Sequence, residues 1–190
     1  MKKSTAVILG VGSIAGLGAA LCRRIASEGY HIFAVGRSPH RLQRVVDAII
    51  TEGYSAEPVV ADVTMEGDVI QLFDYVMTAS PELAPPSLVI YNVGNNRRIP
   101  LLELSVDEFG SFWRAGPLGA FLVGREVARR IAPLGMGTLI FTGASASLRG
   151  KPDYAHFSAS KAGVRMLSQW SCPCNSGHAD TVRLMTPQHV

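Results

Sequence analysis

The sequence predicts an α/β fold built on a doubly wound parallel sheet. Short β-branched runs alternate with longer amphipathic ones along the chain, and the short runs are apolar throughout rather than at every second residue. A strand that is apolar on both faces must be covered on both, and helical crossovers between parallel strands supply that cover.

The elements follow in order. "TAVIL" (5–9), "HIFAV" (31–35), "AEPVV" (56–60), "SLVIY" (87–91) and "GTLIF" (137–141) read as strands. Apolar residues at helical spacing mark helices over 16–28, 39–52, 66–79, 105–131 and 154–170, the fourth interrupted by "AGPLG" (115–119). "SEGY" (27–30) and "TEGY" (51–54) each put a glycine where a helix ends before the next strand. Pro39 falls in the first turn of the second helix, where a missing N–H leaves nothing unpaired.

With 190 residues, 47% of them hydrophobic, the chain supports one domain with its own core, expected over 1–170 and followed by an irregular tail at 171–190. A balance of 18 basic against 15 acidic residues gives only +3, which excludes the basic stripe of a nucleic-acid binder. The arginine pairs 23–24, 97–98 and 129–130 are scattered and read as solvated helix ends or loops. Three cysteines, an odd count in a domain of ordinary size, fit a reducing compartment. "CPCNSGH" (172–178) matches no common zinc spacing, so no metal is expected. The apolar run after Lys2 and Lys3 imitates a signal peptide, but it carries four glycines and a large Leu21 before Cys22. No stretch is long enough to span a membrane, and a cytoplasmic location is the expectation.

Chemistry enters with the loop after the first strand. "GVGSIAGLG" (10–18) places Gly12, Gly16 and Gly18 in a G-x-x-x-G-x-G spacing that leads through Leu17 into a helix. Such a turn brings unshielded N–H groups and the positive end of a helix dipole up to a pyrophosphate. Between a strand and a helix, at the start of a βα series, it marks a dinucleotide site of Rossmann type. Arg37, after Gly36 at the end of the second strand, stands where an acid would hold the 2′-hydroxyl of NAD. Its guanidinium suits a 2′-phosphate, so NADP(H) is expected ahead of NAD(H), with His40 and Arg41 nearby. Asp62 and Val63 follow the third strand, where an adenine would lie, although Asp62 or Thr64 serves equally as a helix cap.

Taken with "ADV" (61–63), "YNVG" (91–94), "GAFLVGREVARRI" (119–131) and "FTGASASLRGKPDYAHFSASKAGVRML" (141–167), these residues resemble the short-chain dehydrogenase/reductase family over roughly 4–169. The resemblance implies a Rossmann-type fold, NADP(H) or NAD(H), a small-molecule substrate, and hydride transfer to or from a carbonyl or alcohol. It also implies cofactor contacts from Asn92, Gly94 and Lys161, and homo-oligomers formed through the 105–131 and 154–170 helices. Family chemistry uses an asparagine, a serine, a tyrosine and a lysine. Lys161 matches the lysine, but the tyrosine position holds Phe157, the serine position Ala144 and the asparagine position Gly116. The degenerate site leaves Ser145 as a substitute for the serine and Tyr154, one turn before Phe157, as a substitute acid. His156 points to another side of that helix.

Without a phenol, Lys161 fits cofactor binding better than family-type catalysis. After Gln169 the amphipathic pattern stops, and Pro173 would break a continuing helix. The tail is expected to be out-of-frame or foreign sequence and the fold C-terminally incomplete, with the fifth strand left as an open edge. Three readings stand: an NADP-dependent oxidoreductase with altered chemistry, a catalytically silent NADP-binding protein, and a truncated product without function.

Overall fold

A computed structural model describes residues 2–135 and 137–169 in full and 181–185 as backbone. Strands β1 (Lys3–Leu9), β2 (His31–Gly36), β3 (Ser55–Val60), β4 (Leu83–Tyr91), β5 (Thr138–Thr142) and β6 (Thr181–Met185) form one sheet in the order β3-β2-β1-β4-β5-β6. Every neighbouring pair is parallel. Strand β4 begins earlier than the apolar run suggests. Pro86 pairs with Thr5 of β1, where register shifts accommodate a residue that cannot donate to a ladder.

Helices α1 (Leu17–Ser27), α2 (Pro39–Thr51), α3 (Glu66–Thr78), α4 (Val106–Trp113), α5 (Gly119–Arg130) and α6 (Ala155–Ser168) cover the sheet. Alternate residues of β1 sort the two faces. Ala6 and Ile8 pack with Ala19 and Cys22 of α1 and with Leu42, Val45 and Ile49 of α2. Val7 and Leu9 pack with Leu72 and Phe73 of α3, Leu122 and Val123 of α5 and Val164 of α6. Both faces are therefore dry, as the continuous apolar strands require. Burial pushes the Cys22 thiol up to about 12, which leaves it an inert core residue.

The interrupted helix of 105–131 has a definite form. A capping box between Ser105 and Glu108 starts α4, and residues 114–118 then make a π-helical turn with Pro117 inside it before α5 begins. A π turn calls for an N–H from residue 117 to the carbonyl of Phe112, and proline has none to give. Ser160 Oγ of α6 supplies that hydrogen bond at 2.9 Å. Tyr91, at the end of β4, donates its hydroxyl to Ala115 O at 2.7 Å. Helix α5 is tied to α3 by the ion pairs Arg125–Glu66 and Arg130–Asp74, while the buried Glu126 accepts from Arg129 at 3.1 Å and Arg130 at 2.9 Å.

The tail differs from its expectation where it is described. Residues Thr181–Met185 pair with Thr138–Thr142 as β6, so the outer edge of β5 is not open. An edge strand's free N–H and C=O groups template any extended segment, and "TVRLM" is rich enough in β-forming residues to be recruited. The remaining tail residues, including the "CPCNSGH" stretch, lie outside the described residues.

Candidate functional site

Strand order reverses between β1 and β4, and the crevice at the carboxyl ends of such a pair is where α/β sheets bind ligands. A cleft of about 390 Å³ lies there. Its floor is the glycine loop. Gly10 has φ +88°, and a Cβ on it would stand 2.6 Å from Asn92 O. One on Gly36 would collide with Val11 O, and one on Gly18 would stand 2.8 Å from Gly10 O. These three glycines let the loop close onto β2, β4 and α1. Gly12 is the opposite case, because a Cβ there would meet nothing within 4 Å. Its bare backbone faces open space at the mouth of α1, whose first N–H groups have no helical partner. That combination fits a pyrophosphate.

At one end of the cleft lie Arg37, Arg41, Asp62 and Val63. Asp62 Oδ1 accepts from Thr64 N at 2.9 Å and Thr64 Oγ1 at 2.8 Å, and Oδ2 stands 3.8 Å from Arg37. The capping and site readings of Asp62 therefore combine, since one oxygen shapes the turn and the other faces the guanidinium. Arg37 is mostly exposed and free to reach toward a bound anion.

At the other end lie Lys161, Phe157, Ser160, Gly94 and Gly116. Lys161 is only 8% exposed; its Nζ donates to Thr142 O at 3.0 Å and to Val93 O at 3.4 Å. Burial pushes its ammonium below the ordinary lysine range. A Cβ on Gly94 would stand 3.2 Å from Nζ, so the close approach of that loop to the lysine requires a small residue. A Cβ on Gly116 would collide with Ser160 Oγ, the hydroxyl that completes the π turn.

The other expected site residues fall elsewhere. Ser145 begins a single 3-10 turn and is exposed, outside the cleft lining. Tyr154 precedes the first residue of α6 with non-helical dihedrals, so the helical register that would align it with Phe157 and Lys161 does not reach it. Its ring sits 5.7 Å from Lys151 Nζ, also outside the lining. Asn92 acts through its backbone, donating N–H to Leu9 O at 2.9 Å, while Gly16 caps α1 and Leu17 is exposed at its start. His156 is buried against Phe112 and bonds Arg97 O through Nε2 at 2.8 Å, which fastens the 94–104 loop to α6. Asp153 reinforces that fastening with its carbonyl on Ile99 N at 2.9 Å and its carboxylate on Arg98. Arg97 and Arg98 are thus engaged by Glu108 and Asp153. Sequence reasoning passed over Gly10 as a site residue, although a glycine directly after the first strand is the signal for a positive φ.

The profile of the family described as "short chain dehydrogenase" matches residues 5–180. The chain belongs to this family. Gluconate 5-dehydrogenase of Gluconobacter oxydans is 30% identical over 87% of this chain and 64% of its own length, and 2,3-dihydro-2,3-dihydroxybenzoate dehydrogenase of Bacillus subtilis is 27% identical over 86% and 65%. The chain thus spans a little under two thirds of these relatives. Among solved structures, a short-chain dehydrogenase from Rhodopseudomonas palustris has a TM-score of 0.81 at 31% identity, over 89% of this chain and 77% of that one. A gluconate 5-dehydrogenase from Burkholderia cenocepacia in complex with NADP and tartrate has a TM-score of 0.78 at 27% identity, over 88% and 64%. The Rossmann-type sheet is the one these solved relatives share. No described helix is long and apolar enough to cross a membrane.

The packing of Gly116 on Ser160 makes a specific prediction. Gly116→Ala forces the serine off Phe112 O and should cost about 1–3 kcal/mol in denaturant unfolding. Adding Ser160→Gly to it should relieve the collision but not restore the lost hydrogen bond, so the double variant should recover only part of that loss.

Proposed function

We propose that the chain is an NADP(H)-dependent oxidoreductase that interconverts a carbonyl and an alcohol on a small hydroxylated substrate. The observation that carries this reading is one continuous cleft with Arg37 and Arg41 at one end, Gly12 and the mouth of α1 in the middle, and Lys161 at the other end. Arg37 and Arg41 would hold a 2′-phosphate, Asp62 and Val63 would border the adenine, and Gly12 with the α1 N–H groups would take the pyrophosphate. Gly94 and Lys161 would border the nicotinamide ribose. When bound, the cofactor supplies or accepts hydride. The printed names of the relatives, gluconate 5-dehydrogenases among them, support a hydroxylated substrate, and the NADP complex of the Burkholderia protein supports the cofactor.

The protein's own contribution to proton transfer is reduced. Phe157 neither gives nor takes a proton, and the Ser160 hydroxyl is committed to Phe112 O. Lys161 Nζ is the titratable group at that end of the cleft. Turnover is therefore expected to be slow, and the same substitutions support a second reading in which the cofactor binds without turnover. Exposed Phe109, Trp113 and Phe121 on α4 and α5 support a homo-oligomer formed through these helices.

Two measurements test the proposal. Titrating NADPH and NADH against the melting temperature should show stabilisation with NADPH preferred, about 2.7 kcal/mol when the ligand is at 100 times its Kd. Arg37→Asp should cut NADPH affinity about 10- to 100-fold, as expected for one charge-assisted phosphate contact, while sparing NADH. Indifference of the melt to both nucleotides would remove the proposal. Restoring the phenol with Phe157→Tyr should raise kcat about 100-fold on any substrate that turns over, the low end of the usual range for general acid–base catalysis. A gain in kcat identifies a weakened enzyme, and tight NADPH binding with no turnover in either protein identifies the silent reading.

A further inference from the structure

The loop of residues 93–99 borders the lysine end of the cleft through Val93, Gly94 and Asn95 and then meets the start of α6. Helix α6 and the turn before it hold this loop at several points. Lys161 Nζ donates to Val93 O at 3.4 Å and His156 Nε2 to Arg97 O at 2.8 Å, while Asp153 receives the Ile99 N–H on its carbonyl at 2.9 Å and the Arg98 guanidinium on its carboxylate. The lysine tie is the longest of them.

The outer ties are built to hold. A carbonyl only accepts, so His156 carries a proton on Nε2, and its ring is fixed by burial to 1% exposure and by Phe112 at a centroid distance of 4.2 Å. Asp153 is the one non-glycine residue with a positive φ, +66°, among the described residues. A left-handed aspartate stores backbone strain that its surroundings must hold in place, and here its carbonyl and its carboxylate both engage the loop. The lysine is held differently. An ammonium has three N–H bonds, of which Thr142 O and Val93 O take two, and a ribose hydroxyl entering beside Gly94 competes first with the longer, the bond to Val93. Were that bond the loop's anchor, binding would loosen the wall of its own site.

We propose that His156 and Asp153 are positioning residues that latch the 93–99 loop to α6 independently of Lys161, so that the lysine can serve the nicotinamide ribose without the cleft wall moving. This role rests on the cofactor reading given above. It concerns one end of the cleft, because Arg37, Arg41, Asp62 and Val63 lie at the opposite end from Gly94, Asn95 and Lys161. Loss of the latch weakens ligands that span the cleft and spares those that occupy the arginine end alone.

The test compares the wild type with His156→Leu, which keeps apolar packing on Phe112 but removes the donor, and with His156→Gln, whose amide can donate to Arg97 O from a similar reach. Each is measured for its Kd toward NADPH, for its Kd toward 2′,5′-ADP, a probe confined to the arginine end, and for amide hydrogen exchange without nucleotide. His156→Leu should bind NADPH about tenfold more weakly but 2′,5′-ADP within about twofold of wild type, the size of loss expected for one buried hydrogen bond. Its Ile99 N–H should exchange about tenfold faster while the core strands keep their protection. His156→Gln should recover most of both effects, and Asp153→Gly, which relaxes the turn and removes the carboxylate, should repeat the selective pattern of His156→Leu. Equal loss of both nucleotides, or faster exchange spread through β1 and β4, would make His156 a packing residue and overturn the proposal. Normal NADPH binding with unchanged exchange at Ile99 would overturn it as well. Absence of NADPH binding by the wild type would instead remove the cofactor reading, and this role with it.

Discussion

The position of Lys161 depends on one missing hydrogen-bond donor, the N–H that Pro117 does not have. A helical run from Val106 to Arg130 cannot pass through a proline without leaving a carbonyl bare, and in a π turn that carbonyl belongs to Phe112. Ser160 reaches over from α6 to satisfy it, and Ser160 is the residue directly before the lysine. The repair of one helix therefore fixes the height and rotation of the next. Pro117 packs so closely on α6 that a Cβ on Gly163 would stand 2.5 Å from its ring. Tyr91 adds a third tie by donating to Ala115 O, which joins the turn to the end of β4. Burial holds that phenol well above its ordinary pKa, so it remains a donor at any physiological pH.

The two ends of the cleft have kept different things. The end that would take the nucleotide has its full set of backbone devices: glycines that let the loop close, an open approach at Gly12, and arginines beyond it. The other end is organised around α6. Gly116 and Ser160 are coupled, because the hydroxyl occupies the space where any larger residue at 116 would place its Cβ. Glycine at 116 is thus a packing requirement of this chain. Phe157 lines the same end of the cleft as Lys161 and brings no titratable group to it.

Much of this was legible in the residues. The strands β1 to β5 and the five helical segments, the fourth of which divides into α4 and α5, contain the apolar runs, because a sheet covered on both faces leaves no other way to bury them. Arg37 and Asp62 were legible as cleft residues because each follows the end of a strand, and Gly94 and Lys161 because their surroundings resemble the family. Three things were not legible. Tyr154 shares its spacing with Lys161, but spacing aligns residues only within a helix, and α6 begins one residue later. Ser145 adjoins the position expected for the family serine, yet its 3-10 turn leaves it exposed. Strand β6 comes from a short segment whose neighbours break every periodicity, and it is specified by the free edge of β5 more than by its own letters.

The sequence by itself determined the layering of the fold, because this follows from periodicity and from the order of the elements, and it singled out Lys161 through its resemblance to the family. Only the tertiary structure decided which glycines serve packing and which leave room for a ligand. It alone showed that Gly116 and Ser160 exclude each other, and that two carbonyls from different strand ends converge on the lysine. Those outcomes depend on distances between segments far apart in the chain, Val93 and Thr142 against Lys161, Phe112 against Ser160, and no local pattern encodes a distance of that kind.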